Sequence, residues 1–305
     1  MTITPLLVLQ AAVVVITVVF TVVLVLNLIK TKEELKGRDK WVNLGICGVA
    51  TQFIDALGIG SYGPMTAWWK ITKAMPDKQI PGTLNICAVV ACSFTTLAYT
   101  TVIEVEIVTL VTLIASATLG AVLGAGIVSK LNVTVIRYGM GIALIVVVLV
   151  MLAGIFKLMP VGGEAIGLST GKLIISALIC FALGSLMTIG VGCYAPMMAL
   201  VFAMGLSPAV AFPVMMGSCA FLMPAAGMRF IKANTKEKPT YSKKASIMVN
   251  IGGCVGVAVA VLIVKSIPLT ALKWLVCAVL IYTSIMLLRD AVKGKKTTLG
   301  SKAEA

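Results

Sequence analysis

Histidine is absent from this sequence, and only 12% of its 305 residues are charged. Its eight cysteines lie within apolar segments, and none belongs to a Cys-x-x-Cys pair. These absences argue against a structural zinc site and against a disulfide framework. An intramembrane enzyme needs a general base or a metal, and the apolar segments offer no paired carboxylates for that purpose. We therefore expect no metal, no cofactor and no enzymatic activity.

Hydrophobic residues dominate what is present. They make up 60% of the chain, and the mean hydropathy of +1.08 lies far above that of a soluble domain. The long apolar runs predict an all-α polytopic membrane protein that contacts membrane lipid. The formal charge of +14 does not indicate nucleic acid, because the cations lie in short loops and not on one base-reading face.

The basic loops predict how the chain crosses the membrane. Residues 5–29 form the first span, and the cations of residues 30–40 follow it, so the positive-inside rule places the N-terminus outside and this loop in the cytoplasm. The C-terminal tail, which is rich in lysine, is also predicted to be cytoplasmic. We expect a multi-pass protein of the cell's inner (plasma) membrane with about seven full crossings: 5–29, 81–101, 107–128, 134–156, 208–229, 246–264 and 270–288.

One motif occurs twice among these spans. Gly58-Ile59-Gly60-Ser61-Tyr62-Gly63-Pro64 recurs 132 residues later as Gly190-Val191-Gly192-Cys193-Tyr194-Ala195-Pro196. Glycine permits backbone angles that other residues resist, and proline suits the first position of a helix, so each copy predicts a helix, a break and a new helix. Each motif segment is either one long kinked helix or a re-entrant hairpin. The lysines after the first copy favour two re-entrant broken-helix hairpins, which gives eight to nine hydrophobic segments.

The same offset extends beyond the motif and predicts two repeats. It relates Pro81 to Pro213 and Cys87 to Cys219. We place the first repeat at 1–130 and the second at 134–264, followed by an extra membrane helix at 265–289 and a cytoplasmic tail at 290–305. Three full crossings and one hairpin in each copy turn the second repeat upside down. Inverted repeats with broken helices are typical of secondary transporters, whose site lies at the membrane midplane.

The duplicated Gly-x-Gly-x-x-x-Pro motif, the number of hydrophobic segments and the chain length resemble the sulfite exporter TauE/SafE family of permeases. The resemblance covers nearly the whole chain. It implies transport of a small sulfur-containing or organic anion, such as sulfite or a sulfonate. Members more often carry a run of glycines where this chain has Ser61-Tyr62-Gly63 and Cys193-Tyr194-Ala195.

An anion at membrane depth needs compensation, yet no lysine or arginine is predicted there. The backbone N–H groups and positive dipole ends of the two new helices can provide it. We therefore expect both motifs to face one shared cavity, with substrate-binding residues Gly58, Gly60, Ser61, Tyr62, Gly63, Pro64, Gly190, Gly192, Cys193, Tyr194, Ala195 and Pro196. Secondary lining is expected from Gln52, Asn85, Cys87, Thr188, Ser218 and Cys219.

Asp55 is the only acid predicted within a membrane segment. Intramembrane ionisable residues are functional candidates, and we hypothesise that Asp55 binds and releases a proton during transport. A helix N-cap and a position in a watery vestibule remain the alternatives. At the level of function, the alternatives to a secondary transporter of a small anion are a passive anion channel, a thiosulfate permease that uses Cys193 and, last, an intramembrane thiol enzyme. A homodimer is left open.

Overall fold

The computed structural model describes residues 5–30, 41–158, 163–190, 192–235, 237–263, 274, 277–278 and 280–292. This part of the chain is helical, with one isolated bridge between Ala165 and Leu206. It confirms the all-α polytopic prediction. The helices are α1 (Pro5–Lys30), α2 (Trp41–Ala56), α3 (Tyr62–Thr72), α4 (Ile80–Cys87), α5 (Val89–Val102), α6 (Ile107–Val128), α7 (Val133–Ile155), α8 (Thr170–Met187), α9 (Tyr194–Ala203), α10 (Ala211–Ala233), α11 (Lys243–Ile263) and α12 (280–292).

Seven segments of the described chain are long and apolar enough to cross a membrane. They include α8, the first arm of the second motif segment, which the sequence assigns to a hairpin. Part of the predicted crossing at 270–288 lies outside the described residues, as do the basic loop 31–40 and the tail from residue 293. The orientation inferred from those loops stays a prediction.

Each motif lies at the turn between two helices that run back along one another. In the first pair, the indole N–H of Trp68, late in α3, donates to Oδ1 of Asn43, early in α2, at 2.7 Å. In the second pair, Nζ of Lys172 at the start of α8 donates to the backbone oxygen of Met204, just after α9, at 2.8 Å. Within each pair, this contact joins the two free ends of the helices. The pairs α2–α3 and α8–α9 are therefore helical hairpins with the motifs at their tips.

The two hairpins enter the helix bundle from opposite ends. The open end of the first hairpin lies beside the start of α7, where Nε of Arg137 donates to Oδ2 of Asp77. The open end of the second lies beside the start of α6, where Glu106 donates its N–H to the backbone oxygen of Ile166 at 2.9 Å. Helix α6 joins these two ends and has 22 residues, a length of roughly 33 Å. Because the hairpins enter from opposite ends of the bundle, their tips meet between these two ends.

Close helix crossings join each hairpin to the other predicted repeat. A Cβ on Gly120 of α6 would lie only 1.9 Å from the backbone oxygen of Phe181 on α8, and one on Gly252 of α11 would lie 2.3 Å from a backbone oxygen of α2. Gly124 and Gly256 make the same kind of contact one turn later. These glycines are related by the 132-residue offset. Close packing is predicted for α6 from its small residues, whereas the matching pair on α11 escaped the sequence reasoning.

The span after the first hairpin differs from the predicted continuous helix. It is broken at Ala88, between α4 and α5, whereas α10 continues through the equivalent position. Asn250 of α11 supplies the missing partners: Nδ2 donates to the oxygen of Ile86 at 3.1 Å, and Oδ1 accepts the N–H of Val90 at 3.1 Å. A buried break is stable only with such partners, because unpaired backbone groups are costly in a membrane.

A cluster of four charged residues joins four elements at the open end of the first hairpin. Nζ of Lys70 lies 3.0 Å from Oδ1 of Asp77 and 2.7 Å from Oδ2 of Asp290, while Nε of Arg137 lies 2.7 Å from Oδ2 of Asp77. The side chains of Lys70 and Asp77 are 8% and 9% exposed. We call this set the charge cluster. The sequence gives Lys70 a role in orientation and predicts none of these ion pairs.

Candidate functional site

The tips of the two hairpins contact each other reciprocally. A Cβ on Gly60 would lie 3.7 Å from Cβ of Tyr194, and one on Gly192 would lie 3.9 Å from Cβ of Tyr62. The glycine of each motif therefore faces the tyrosine of the other. Both tyrosines are buried. We call this contact the tip junction.

Positive φ angles at three motif glycines shape the two turns. Gly58, Gly60 and Gly190 have φ angles of +77°, +95° and +104°, a region in which side chains with a Cβ are strained. A Cβ on Gly58 would also meet the ring of Phe212 at 2.8 Å, and one on Gly190 would meet Met140 at 2.9 Å. Neither Gly58 nor Gly190 lines the cavities at the junction. Their role is therefore to form the turns.

Two small cavities flank the tip junction and share four lining residues, Gly60, Tyr62, Gly192 and Tyr194. Their volumes are about 10 and 20 Å³, and a space of this size holds roughly one water molecule. The first is also lined by Asp55, Ser61, Ala88, Cys92, Met187, Cys193, Cys219 and Met223. The second is also lined by Ile59, Gly63, Pro64, Leu144, Val147, Ala195 and Leu280. Neither lining set of the described chain includes a lysine or an arginine.

The carboxylate of Asp55 connects the two motifs. Its Oδ1 accepts the backbone N–H of Ser61 at 2.7 Å, and its Oδ2 accepts the hydroxyl of Tyr194 at 2.9 Å. Asp55 is only 5% exposed. Because Ser61 immediately precedes α3, the first bond resembles the helix cap that the sequence left open as an alternative for Asp55. The second bond reaches across to the other hairpin.

Asn85 contacts the tip junction from the span after the first hairpin. The hydroxyl of Tyr62 donates to Oδ1 of Asn85 at 3.3 Å, while Nδ2 of Asn85 donates back to the oxygen of Pro81 at 2.9 Å. Each motif tyrosine therefore donates to a side chain of the first half of the chain, Tyr62 to an amide and Tyr194 to a carboxylate.

Sulfur atoms cluster on the side of the first cavity. Sγ of Cys193 lies 3.5 Å from Sγ of Cys219, which in turn lies 3.9 Å from Sδ of Met187. Cys92 and Met223 line the same cavity. Met187 could have been found from the sequence, because the 132-residue offset places it opposite Asp55. Cys92 carries no such signal, since its counterpart at that offset is a proline.

The remaining predicted residues lie outside both cavities. Gln52 is buried beside Gly253 of α11, and neither polar atom of its amide has a partner within the described chain. Ser218 is likewise buried with an unpartnered hydroxyl, and Thr188 donates to the oxygen of Ser185. Cys87, whose Sγ lies 3.7 Å from Sδ of Met65, and Pro196 also lie outside the cavities, as do Asn85 and the turn glycines Gly58 and Gly190.

A comparison with protein-family models gives one match, which is described as Sulfite exporter TauE/SafE and covers residues 1–151. This region runs from the first span into α7 and contains the first motif and Asp55. A search of the curated proteins and a search of the solved structures each found no match. The family match covers the first half of the chain, whereas the resemblance drawn from the motifs extends over both halves. On this match, and on the multi-pass helical fold, residues 1–151 of the chain belong to the sulfite exporter TauE/SafE family.

Proposed function

We propose that this protein is a secondary transporter that moves a small anion, such as sulfite, a sulfonate or a related organic anion, through a site at the tip junction. The observation that carries the proposal is the meeting of two hairpin tips that enter from opposite ends and enclose cavities of about 10 and 20 Å³. Membership of a transporter family supports transport as the activity. Binding, and not catalysis, is the proposed role of every site residue.

The chemistry of the tips suits an anion. Helices α3 and α9 both begin at the junction, and the first N–H groups of an α-helix lack intrahelical acceptors. Their positive dipole ends favour negative charge. The two starts are built alike, since Met65 donates its N–H to the oxygen of Ser61 and Met197 donates to that of Cys193, both at 2.9 Å. The hydroxyls of Tyr62 and Tyr194 add side-chain donors.

Alternating access is the proposed mechanism, with the two predicted repeats in inverted orientation. The 132-residue offset relates α2 to α8, α3 to α9, and α6 to α11, and the related hairpins point in opposite directions. In such an arrangement each repeat can adopt the conformation of the other, which exchanges the open side. The closed cavities favour a carrier over a passive channel, because a carrier passes through an occluded state.

Proton coupling is proposed to occur at Asp55, the one acid at the junction. Protonation removes a negative charge next to the substrate anion, so a proton and an anion can bind together. We further propose an inner (plasma) membrane location with the N-terminus outside and the C-terminus in the cytoplasm. A homodimer stays a prediction.

Uptake into liposomes tests the proposal. Purified protein is reconstituted and offered sulfite, thiosulfate, sulfonates and small carboxylates, with and without an inward proton gradient. We expect saturable uptake of at least one sulfur oxyanion, stimulated by the gradient. Flux that rises linearly with concentration would indicate a channel instead.

The site is tested in the same assay. Replacing both Tyr62 and Tyr194 with alanine should abolish uptake, because the hydroxyl donors and the rings that close the cavities are lost. Tyr282→Ala is the matched control, since Tyr282 is 54% exposed and lies on α12. Full activity of the double variant would place the site elsewhere.

A further inference from the structure

The carboxylate of Asp55 already holds two hydrogen-bond donors at the tip junction. One donor, the N–H of Ser61, belongs to the first motif, and the other, the hydroxyl of Tyr194, belongs to the second. The two acceptors are the two oxygens of one carboxylate. In this closed conformation, a single group with two oxygens on one central atom, the Asp55 carboxylate, thus connects both hairpins.

We infer that Asp55 is a built-in competitor of the transported anion: its carboxylate occupies the anion's position and must leave it before the anion binds. This inference rests on the proposed function of the tip junction. It also narrows the substrate class, because the anion that replaces a carboxylate here needs two oxygens on one central atom. Sulfite, sulfonates and carboxylates meet this requirement, and halides do not.

Simultaneous binding of Asp55 and a substrate anion to the same donors is unfavourable for two reasons. The cavity beside Asp55 has a volume of about 10 Å³, too small for a second oxyanion. A second negative charge would also lie next to the first at membrane depth, where the described lining supplies no cation. Displacement or neutralisation of the carboxylate removes both obstacles.

The same geometry makes anion binding depend on the protonation state of Asp55. The titratable groups that face it are the phenols of Tyr62, Tyr99 and Tyr194 and the thiols of Cys92, Cys193 and Cys219. Phenols and thiols ordinarily stay neutral between about pH 5 and 7. Asp55, as the carboxylic acid among them, is therefore the group that takes up a proton as the pH falls. A protonated Asp55 is a weaker acceptor and releases its donors, so anion affinity should rise as the pH falls.

Sulfite binding to purified protein tests the competition. Isothermal titration at pH 8 compares the wild type with Asp55→Asn and Asp55→Ala, and the exposed Glu104→Gln on the α5–α6 loop is the control. We expect both Asp55 variants to bind sulfite about tenfold more tightly or better, because no charged acceptor competes for the donors. The ratio of variant to wild-type affinity should fall towards one at low pH. Taking the ratio cancels the titration of sulfite itself.

A double-mutant cycle separates direct competition from charge repulsion alone. Tyr194→Phe removes a donor from the competitor as well as from the substrate in the wild type, but only from the substrate in Asp55→Ala, which has no acceptor at this position. Under competition, Tyr194→Phe therefore weakens sulfite binding more in Asp55→Ala than in the wild type. Equal weakening in both backgrounds would overturn the inference.

The outcomes distinguish the inference from the function on which it rests. If the wild type binds sulfite and the Asp55 variants bind it equally or more weakly, the competitor role is wrong and the transport proposal stands. If neither the wild type nor any variant binds sulfite, a sulfonate or a small carboxylate in the same titration, the proposed function is wrong, and the inference fails with it. Asp55→Ser provides a further neutral variant, and size-exclusion profiles establish which variants are folded.

Discussion

Gly60 faces Tyr194 across the tip junction with room for one methyl group, because a Cβ built on Gly60 would lie 3.7 Å from Cβ of Tyr194. Gly192 has the equivalent relation to Tyr62, at 3.9 Å. The backbone of Gly60 lies in the left-handed region, with a φ of +95°.

This angle predicts a cost for any side chain at position 60. Gly60→Ala should destabilise the protein by about 1–2 kcal/mol through backbone strain, while Gly126→Ala, within helix α6 where a Cβ would meet no atom within 4 Å, should cost clearly less. Thermal unfolding in detergent measures both variants. Equal losses of stability would contradict a cost of the backbone angle at Gly60.

Cys193 and Cys219 are predicted to form a disulfide on oxidation, since their Sγ atoms lie 3.5 Å apart. Each thiol loses one proton and one electron, and an added disulfide reagent takes them up. The bond would fix the second tip to α10, so we expect uptake to stop and to recover with a reducing agent. Cys193→Ser, which gives the second motif the serine that the first motif has at Ser61, should make uptake insensitive to the disulfide reagent. Cys254→Ser should leave uptake sensitive to it. Mass spectrometry of the oxidised protein identifies the linked peptides, and a sensitive Cys193→Ser variant would contradict the prediction.

Asn250→Ala is predicted to destabilise the break between α4 and α5. The change leaves the oxygen of Ile86 and the N–H of Val90 without their side-chain partner, at about 1–3 kcal/mol for each buried group. Ser176→Ala is the matched control, because the hydroxyl of Ser176 is buried without a partner in the described chain. Thermal unfolding should separate the two variants by several degrees. Similar melting temperatures would mean that water can replace Asn250.

Asp77→Asn is predicted to weaken the charge cluster. Breaking a buried ion pair typically costs 3–5 kcal/mol, and we expect about 2–3 kcal/mol here because Lys70 keeps Asp290 as a partner. Asp77→Glu retains the charge and should recover much of the loss. Half-lives at elevated temperature in detergent provide the measurement. An Asp77→Asn variant as stable as the wild type would show that the pairs are solvated.

The long apolar runs predict the all-α multi-pass fold, which the structure confirms. The offset of Gly60 and Gly192 predicts two related breaks, and the placement of basic residues predicts hairpins and their opposite directions. The break at Ala88 could not be predicted, since no glycine or proline lies beside it and its stabilising partner, Asn250, is 162 residues away. Local sequence carries little information on such contacts, because tertiary packing creates them.

The residues around the tip junction could likewise be predicted only in part. The repeated motif predicts Tyr62 and Tyr194, and Asp55 is predicted as the only acid within a membrane segment. Gln52 is predicted as a polar group in an apolar segment, yet it lies at a helix crossing. The rarity of polar groups in apolar segments indicates a buried polar residue, but it does not show which neighbour that residue contacts.

Helix α3 connects the tip junction to the charge cluster as a single rigid rod. It has 11 residues, a length of about 16 Å, with Tyr62 in its first turn and Lys70 in its last. A movement that opens the tip therefore shifts Lys70 relative to Asp77 and Asp290. In the proposed transport cycle these ion pairs would contribute to the activation barrier, and turnover would then depend on charges that never contact the transported anion.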